Sequence, residues 1–109
     1  MDYAVEIKFR ETLKKLEPEF GPMDLQSTLF LIGVQELGKG YQKFKKDDKV
    51  NLMHIAICTL LEPHGYYSYL GIDEDGWPHF ENTSNLPPLD EKQQEQLIKE
   101  AIIDYFSAL

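Results

Sequence analysis

DDKVNLMHIAICTLL, residues 47–61, is the longest nearly apolar run in the chain that also carries a start signal. Asp47 or Asp48 is the expected cap, because a carboxylate there meets the free amides of a first turn and the positive end of the peptide dipoles. Pro63 and Gly65 end the run as a helix. Val50, Met53, Ile57 and Leu60/Leu61 recur at steps of three and four, and Leu52, Ile55 and Ala56 widen the stripe around much of the cylinder. A helix of that kind has to be covered on several sides, so the rest of the chain is read as its covering.

Two further helical stripes precede it. Val5, Phe9, Leu13 and Leu16 share one face over residues 2–16, supported by four-apart charge pairs Glu6/Arg10 and Glu11/Lys15. Residues 3–9 also alternate as a strand would, but the helical stripe accounts for twice as much chain. Pro18 and then Gly21–Pro22 are expected to close it. Asp24 caps a second helix carrying Leu25, Thr28/Leu29, Ile32, Val34 and Leu37, in which Gly33 offers room for another backbone. Residues 39–46 read as a basic loop held down by Tyr41 and Phe44.

After His64–Gly65 the period changes from helical to alternating. Residues 66–72 and 77–81 are read as a β-hairpin closed by Asp73-Glu74-Asp75-Gly76, with Gly76 at positive φ and Pro78 on an edge. Asn82–Leu89 has no periodic face and forms a loop. Asp90 then caps a last helix through the amides near Gln93, and its stripe of Leu97, Ala101, Ile102 and Tyr105, flanked by Ile98 and Phe106, is expected to dock on the central helix. The predicted fold is mainly α, or helical α+β: four helices about the central helix 48–61, with a small hairpin at about 66–81 before the last one. At 109 residues the chain is expected to form a single compact domain over 1–109.

Charge and composition narrow the function. The net charge is −8, distributed unevenly: residues 39–49 hold five lysines against two aspartates, whereas residues 50–109 hold ten acids against Lys92 and Lys99. Such a field opposes a polyanion, so nucleic acid is not expected as a partner. No apolar run approaches the roughly 18 residues that span a bilayer, and the first twenty residues lack the basic-then-apolar pattern of a targeting signal. The single Cys58, set among apolar residues, points to a reduced cytoplasmic setting.

Two functional readings follow. The preferred one is a small, acidic, non-enzymatic regulatory or protein-interaction domain. Tyr66, Tyr67, Tyr69, Trp77 and Phe80 fall within fifteen residues, bordered by Asp73, Glu74 and Asp75. Tyr and Trp combine large contact area with a polar tip, and an acidic rim speeds encounter with a basic partner, either another protein or a second copy of this chain. The alternative is a metal-dependent or small-molecule-binding protein. His54, Cys58 and Glu62 recur every four residues, and His64 and His79 are candidates to complete a site for zinc or another transition metal around His54, Glu62, His64 and His79. Neither HExxH nor paired CxxC is present, so no cofactor is expected on the preferred reading. A Cys58–His54 nucleophile pair lacks any accompanying G-x-S-x-G elbow, and Asp73, Asp75 and Gly76 make only a fragment of a calcium loop.

Overall fold

The computed structural model describes residues 3–40 and 42–108. In chain order these form α1 (Tyr3–Phe20), α2 (Leu25–Leu37), α3 (Lys46–Leu61), a 3₁₀ turn (Glu62–His64), β1 (Tyr67–Ile72), β2 (Pro78–Asn82) and α4 (Glu91–Ser107). The class is the expected one: mainly helical, with one antiparallel hairpin before the last helix. No helix among the described residues is long and apolar enough to cross a membrane. The backbone separates into two compact units, Met1–Leu25 with Pro87–Leu109, and Gln26–Leu86.

In the first unit α1 lies against α4. The ambiguous N-terminal segment is helical from Tyr3 and runs past the expected end at Leu16, through Pro18 to Phe20. Proline's fixed φ suits a helix, and its missing N–H removes only one bond so close to the end. Gly21, at φ 75°, then donates its N–H to the Glu17 carbonyl at 2.7 Å and turns the chain away. Asp90 starts α4 as expected: its carboxylate accepts the Gln93 amide at 2.8 Å, and the Gln93 side chain accepts the Asp90 amide at 3.0 Å. The partner that the structure gives α4 is α1, and with Ala101 and Ile102 it buries Lys99, which the apolar stripe had passed over. The Lys99 ammonium lies 2.5 Å from Glu6 Oε1 and 5.2 Å above the Phe9 ring, so Glu6 pairs across to α4 instead of down its own helix to Arg10.

The second unit is built on α2 and α3. Gly33 is the reason they approach closely, since a Cβ there would sit 2.1 Å from the Leu52 carbonyl oxygen. Val34 and Leu37 of α2 close on Leu52 of α3, and Phe30, Phe44 and Trp77 pack around that cluster. Phe44 thereby holds the basic loop as expected, edge-on to Phe30 at 5.9 Å. Tyr41, paired with it in the sequence reading, lies outside the described residues.

The start and the stripe of α3 both need correction. Its N-cap is Lys45, with no side-chain cap bond, and the helix begins at Lys46. Asp47 and Asp48 fall inside the first turn, where they still meet the positive end of the dipole. Leu52, Ile55, Ala56, Cys58, Leu60 and Leu61 are buried, Met53 and Ile57 half-buried, and Val50 is 63% exposed. The inward face is thus turned toward the Leu52–Ala56–Leu60 row, because Gly33 admits the backbone at Leu52. Periodicity fixes the existence of a face, but the close approach selects which one.

The hairpin strands are each displaced by one residue from the expected start. Tyr67 pairs with Asn82, Tyr69 with Phe80 and Ile72 with Pro78, with a bulge between Tyr69 and Gly71 that leaves Leu70 as the extra residue. Both strands lie against α3, and Gly76 takes φ 86° in the turn. Thr83 and Asn85 tie the exit from β2 back to the Gly65 carbonyl at 2.7 and 3.2 Å.

Candidate interaction surface

Asp73 organises the tip of the hairpin. Its Oδ1 accepts the amides of Asp75 at 2.9 Å and Trp77 at 3.0 Å, its Oδ2 meets His79 Nε2 at 2.8 Å, and its own N–H donates to the Trp77 carbonyl at 2.9 Å. The His79 hydrogen bond, followed by the Trp77 amide, holds the Asp73 carboxyl below the ordinary aspartate range. Both Asp73 carboxylate oxygens are thus engaged in forming the turn. Asp75 contributes a carbonyl to the Lys39 ammonium, which reaches across from the segment after α2. Glu74 is exposed at the tip.

The five hairpin rings have different surroundings. Trp77 is half-buried against the Val34, Leu37 and Leu52 cluster. Tyr67 is half-buried and edge-on to His54, with ring centroids 6.4 Å apart, and Tyr66 stacks on His64 at 5.9 Å and 12°. Phe80 is half-buried and tilted against Tyr69 at 5.5 Å. Tyr69 is the ring left half in solvent, at 50% exposure, and it is followed along β1 by Leu70 at 61% and Ile72 at 65%. Leu70 and Ile72 were not singled out in the sequence, because an aromatic census misses aliphatic residues and period-2 alternation does not reveal a bulge.

The four metal candidates are distributed over different places. His54 and His79 line one cleft of about 310 Å³ together with Asp73 and Trp77, Glu62 lines a second cleft, and His64 stacks on Tyr66. Among the described residues no group of three or more His, Cys, Asp or Glu is placed to hold a metal ion. Cys58 is a free, fully enclosed thiol whose Sγ lies 3.5 Å from His54 Nε2. Burial pushes its pKa up to about 11, which keeps it protonated near neutral pH and unsuited to act as a nucleophile or thiolate ligand.

The second cleft, about 280 Å³, lies in the Gln26–Leu86 unit where the last turns of α2 and α3 face the hairpin. Leu37, Tyr69, Ile72, Pro78 and Phe80 supply apolar walls, and Glu36 and Glu62 supply carboxylates. It is contiguous with the exposed part of β1 through Tyr69 and Ile72. No family model, curated protein or solved structure matches this chain.

Proposed function

We propose that this chain is a small, acidic, non-enzymatic regulatory or interaction domain that recognises a protein through the outer part of its hairpin. The observation that carries the reading is the run Tyr69, Leu70 and Ile72, three large side chains within four residues of one strand, each at least half exposed. Isolated exposed apolar residues are common, but three within four residues, two of them lining a cleft with the Phe80 ring, have the composition of a recognition patch. The described sheet has two strands, so β1 and β2 each keep an outer edge for an added strand. Glu74 and Glu81 contribute an acidic border that steers a basic partner. The protonated, enclosed Cys58 supports a binding role over thiol catalysis, and its free state supports a reducing, cytoplasmic setting.

The test compares the native chain with a Leu70→Ser/Ile72→Ser variant. Both are used for affinity capture from native extract, with light scattering to measure self-association. The expected outcome is a complex, or a dimer, that forms with the native chain and is lost with the variant while circular dichroism is unchanged. Complexes that survive in the folded variant, or none with either chain, would overturn the proposal.

A further inference from the structure

We infer that the cleft bounded by Glu36, Glu62, Tyr69 and Phe80 receives an arginine or lysine side chain from the protein partner. The inference rests on the interaction reading above and gives that partner a chemistry. Three features favour a cation with an apolar stem. Glu62 brings a carboxylate to the cleft on a short turn fixed by the Gly65 amide, which donates to the Glu62 carbonyl at 2.9 Å. Glu36–Leu37 belong to the last turn of α2, and Thr59 to the last turn of α3, so two helix C-termini present the negative ends of their dipoles to one space. The tilted Tyr69–Phe80 pair and Ile72 form a wall along which a methylene stem can lie, with a ring face available to a guanidinium or ammonium.

Size and field agree with that occupant. A cleft of about 280 Å³ is slightly below the roughly 300–1,000 Å³ typical of small-molecule pockets and suits one long side chain. Residues 26–86, the unit that holds the cleft, carry eight acids against five lysines, a net charge of −3 that favours a basic segment. Lys39 already crosses beside Gly76 to the Asp75 carbonyl, so the incoming charge belongs toward Glu62. The exposed Leu70 and Ile72 then meet the residues flanking the cation, which places a basic residue within an otherwise apolar segment of the partner.

Amide-resolved NMR of the full chain tests the cleft directly, with acetyl-arginine-amide, acetyl-lysine-amide and neutral acetyl-norleucine-amide as probes. Saturable shifts are expected at residues 36, 59, 62 and 69 for the two cations, with norleucine at least about tenfold weaker and Glu62→Gln weakening the cations about tenfold. Tyr69→Leu keeps the apolar wall but removes the ring, and should also weaken them. The spectra themselves report whether each variant is folded. Equal binding of norleucine, or no saturable shift, would overturn the cation site. In the capture experiment, Glu62→Gln should weaken the same complex that Leu70→Ser/Ile72→Ser abolishes. A complex indifferent to Glu62→Gln but lost in the hairpin variant would overturn the assignment of this cleft to the partner and leave the interaction reading standing. Absence of any complex would defeat the interaction reading, while the titration still decides the cleft.

Discussion

Trp77 and Ile72 flank the same four-residue turn, yet the protein treats them in opposite ways. Trp77 inserts toward Val34, Leu37 and Leu52, with Phe30 and Phe44 around the same cluster. Ile72, paired across the strands with Pro78, is 65% exposed. The difference is one of support. The Trp77 amide is held by Asp73 and its ring rests on a core closed by the Gly33 contact, whereas the β1 strand bulges at Leu70 and carries its apolar side chains past the helices. One part of the hairpin anchors it, and the other leaves Tyr69, Leu70 and Ile72 in solvent. Recognition surfaces need that division, because exposed rings and aliphatics bind well only when their backbone is already ordered.

The comparison breaks most readily at the core beneath Trp77. Leu52→Ala should cost about 2–5 kcal/mol through lost transfer energy and a residual cavity, and Gly33→Ala should cost about 1–3 kcal/mol by forcing α2 off the Leu52 carbonyl. Denaturant unfolding followed by tryptophan fluorescence measures both. If neither variant is destabilised, α2 and α3 are not held as described. Next comes Trp77→Ala, expected to cost about 2–3 kcal/mol, less than the 3–5 of a fully enclosed ring because Trp77 is only half-buried. A melting temperature equal to that of the native chain would remove the anchor from the comparison.

At the presenting end the expected effect on stability is close to nothing. Leu70→Ser and Ile72→Ser should each stay within about 0.5 kcal/mol, since they surrender little buried area. A loss approaching that of Trp77→Ala, seen in the same unfolding experiment, would mean that β1 is covered and that no free patch exists.

The smallest effect is confined to the turn. Asp73 has a carboxyl lowered by His79 and by the Trp77 amide, so its contribution is fully present above the ordinary aspartate value of 3.8 and is lost as pH falls through the lower folded value. Protection of the Trp77 amide against hydrogen exchange, relative to its intrinsic rate at each pH, should therefore stay constant from neutrality down to about pH 4 and fall only in more acidic solution. Asp73→Ala, which removes the accepting oxygen, should expose that amide at neutral pH. Protection unaffected by either change would show that the carboxylate does not hold the turn.

Much of this architecture is written locally. Apolar spacing, Asp90 with Gln93, Pro63 with Gly65, and the Asp-Glu-Asp-Gly turn determine where four helices and a hairpin form, because each signal acts through neighbours within a few residues. Cys58 was likewise legible as an enclosed thiol from its apolar neighbours. What the chain could not disclose depended on contacts between residues far apart in sequence. The Gly33–Leu52 approach chose the inward face of α3 and left Val50 outside, and Glu6 found Lys99 across 93 positions instead of Arg10 along its own helix. The candidate site belongs to the same category. Sequence marked Tyr69, Trp77 and Phe80 as one aromatic group, but only packing divided them into an anchored ring and an exposed strand, and only the fold set Glu36 and Glu62 on the same cleft as Tyr69. Local patterns fix which residues prefer a face, whereas the close approach of backbones distant in sequence decides which of those faces remains open.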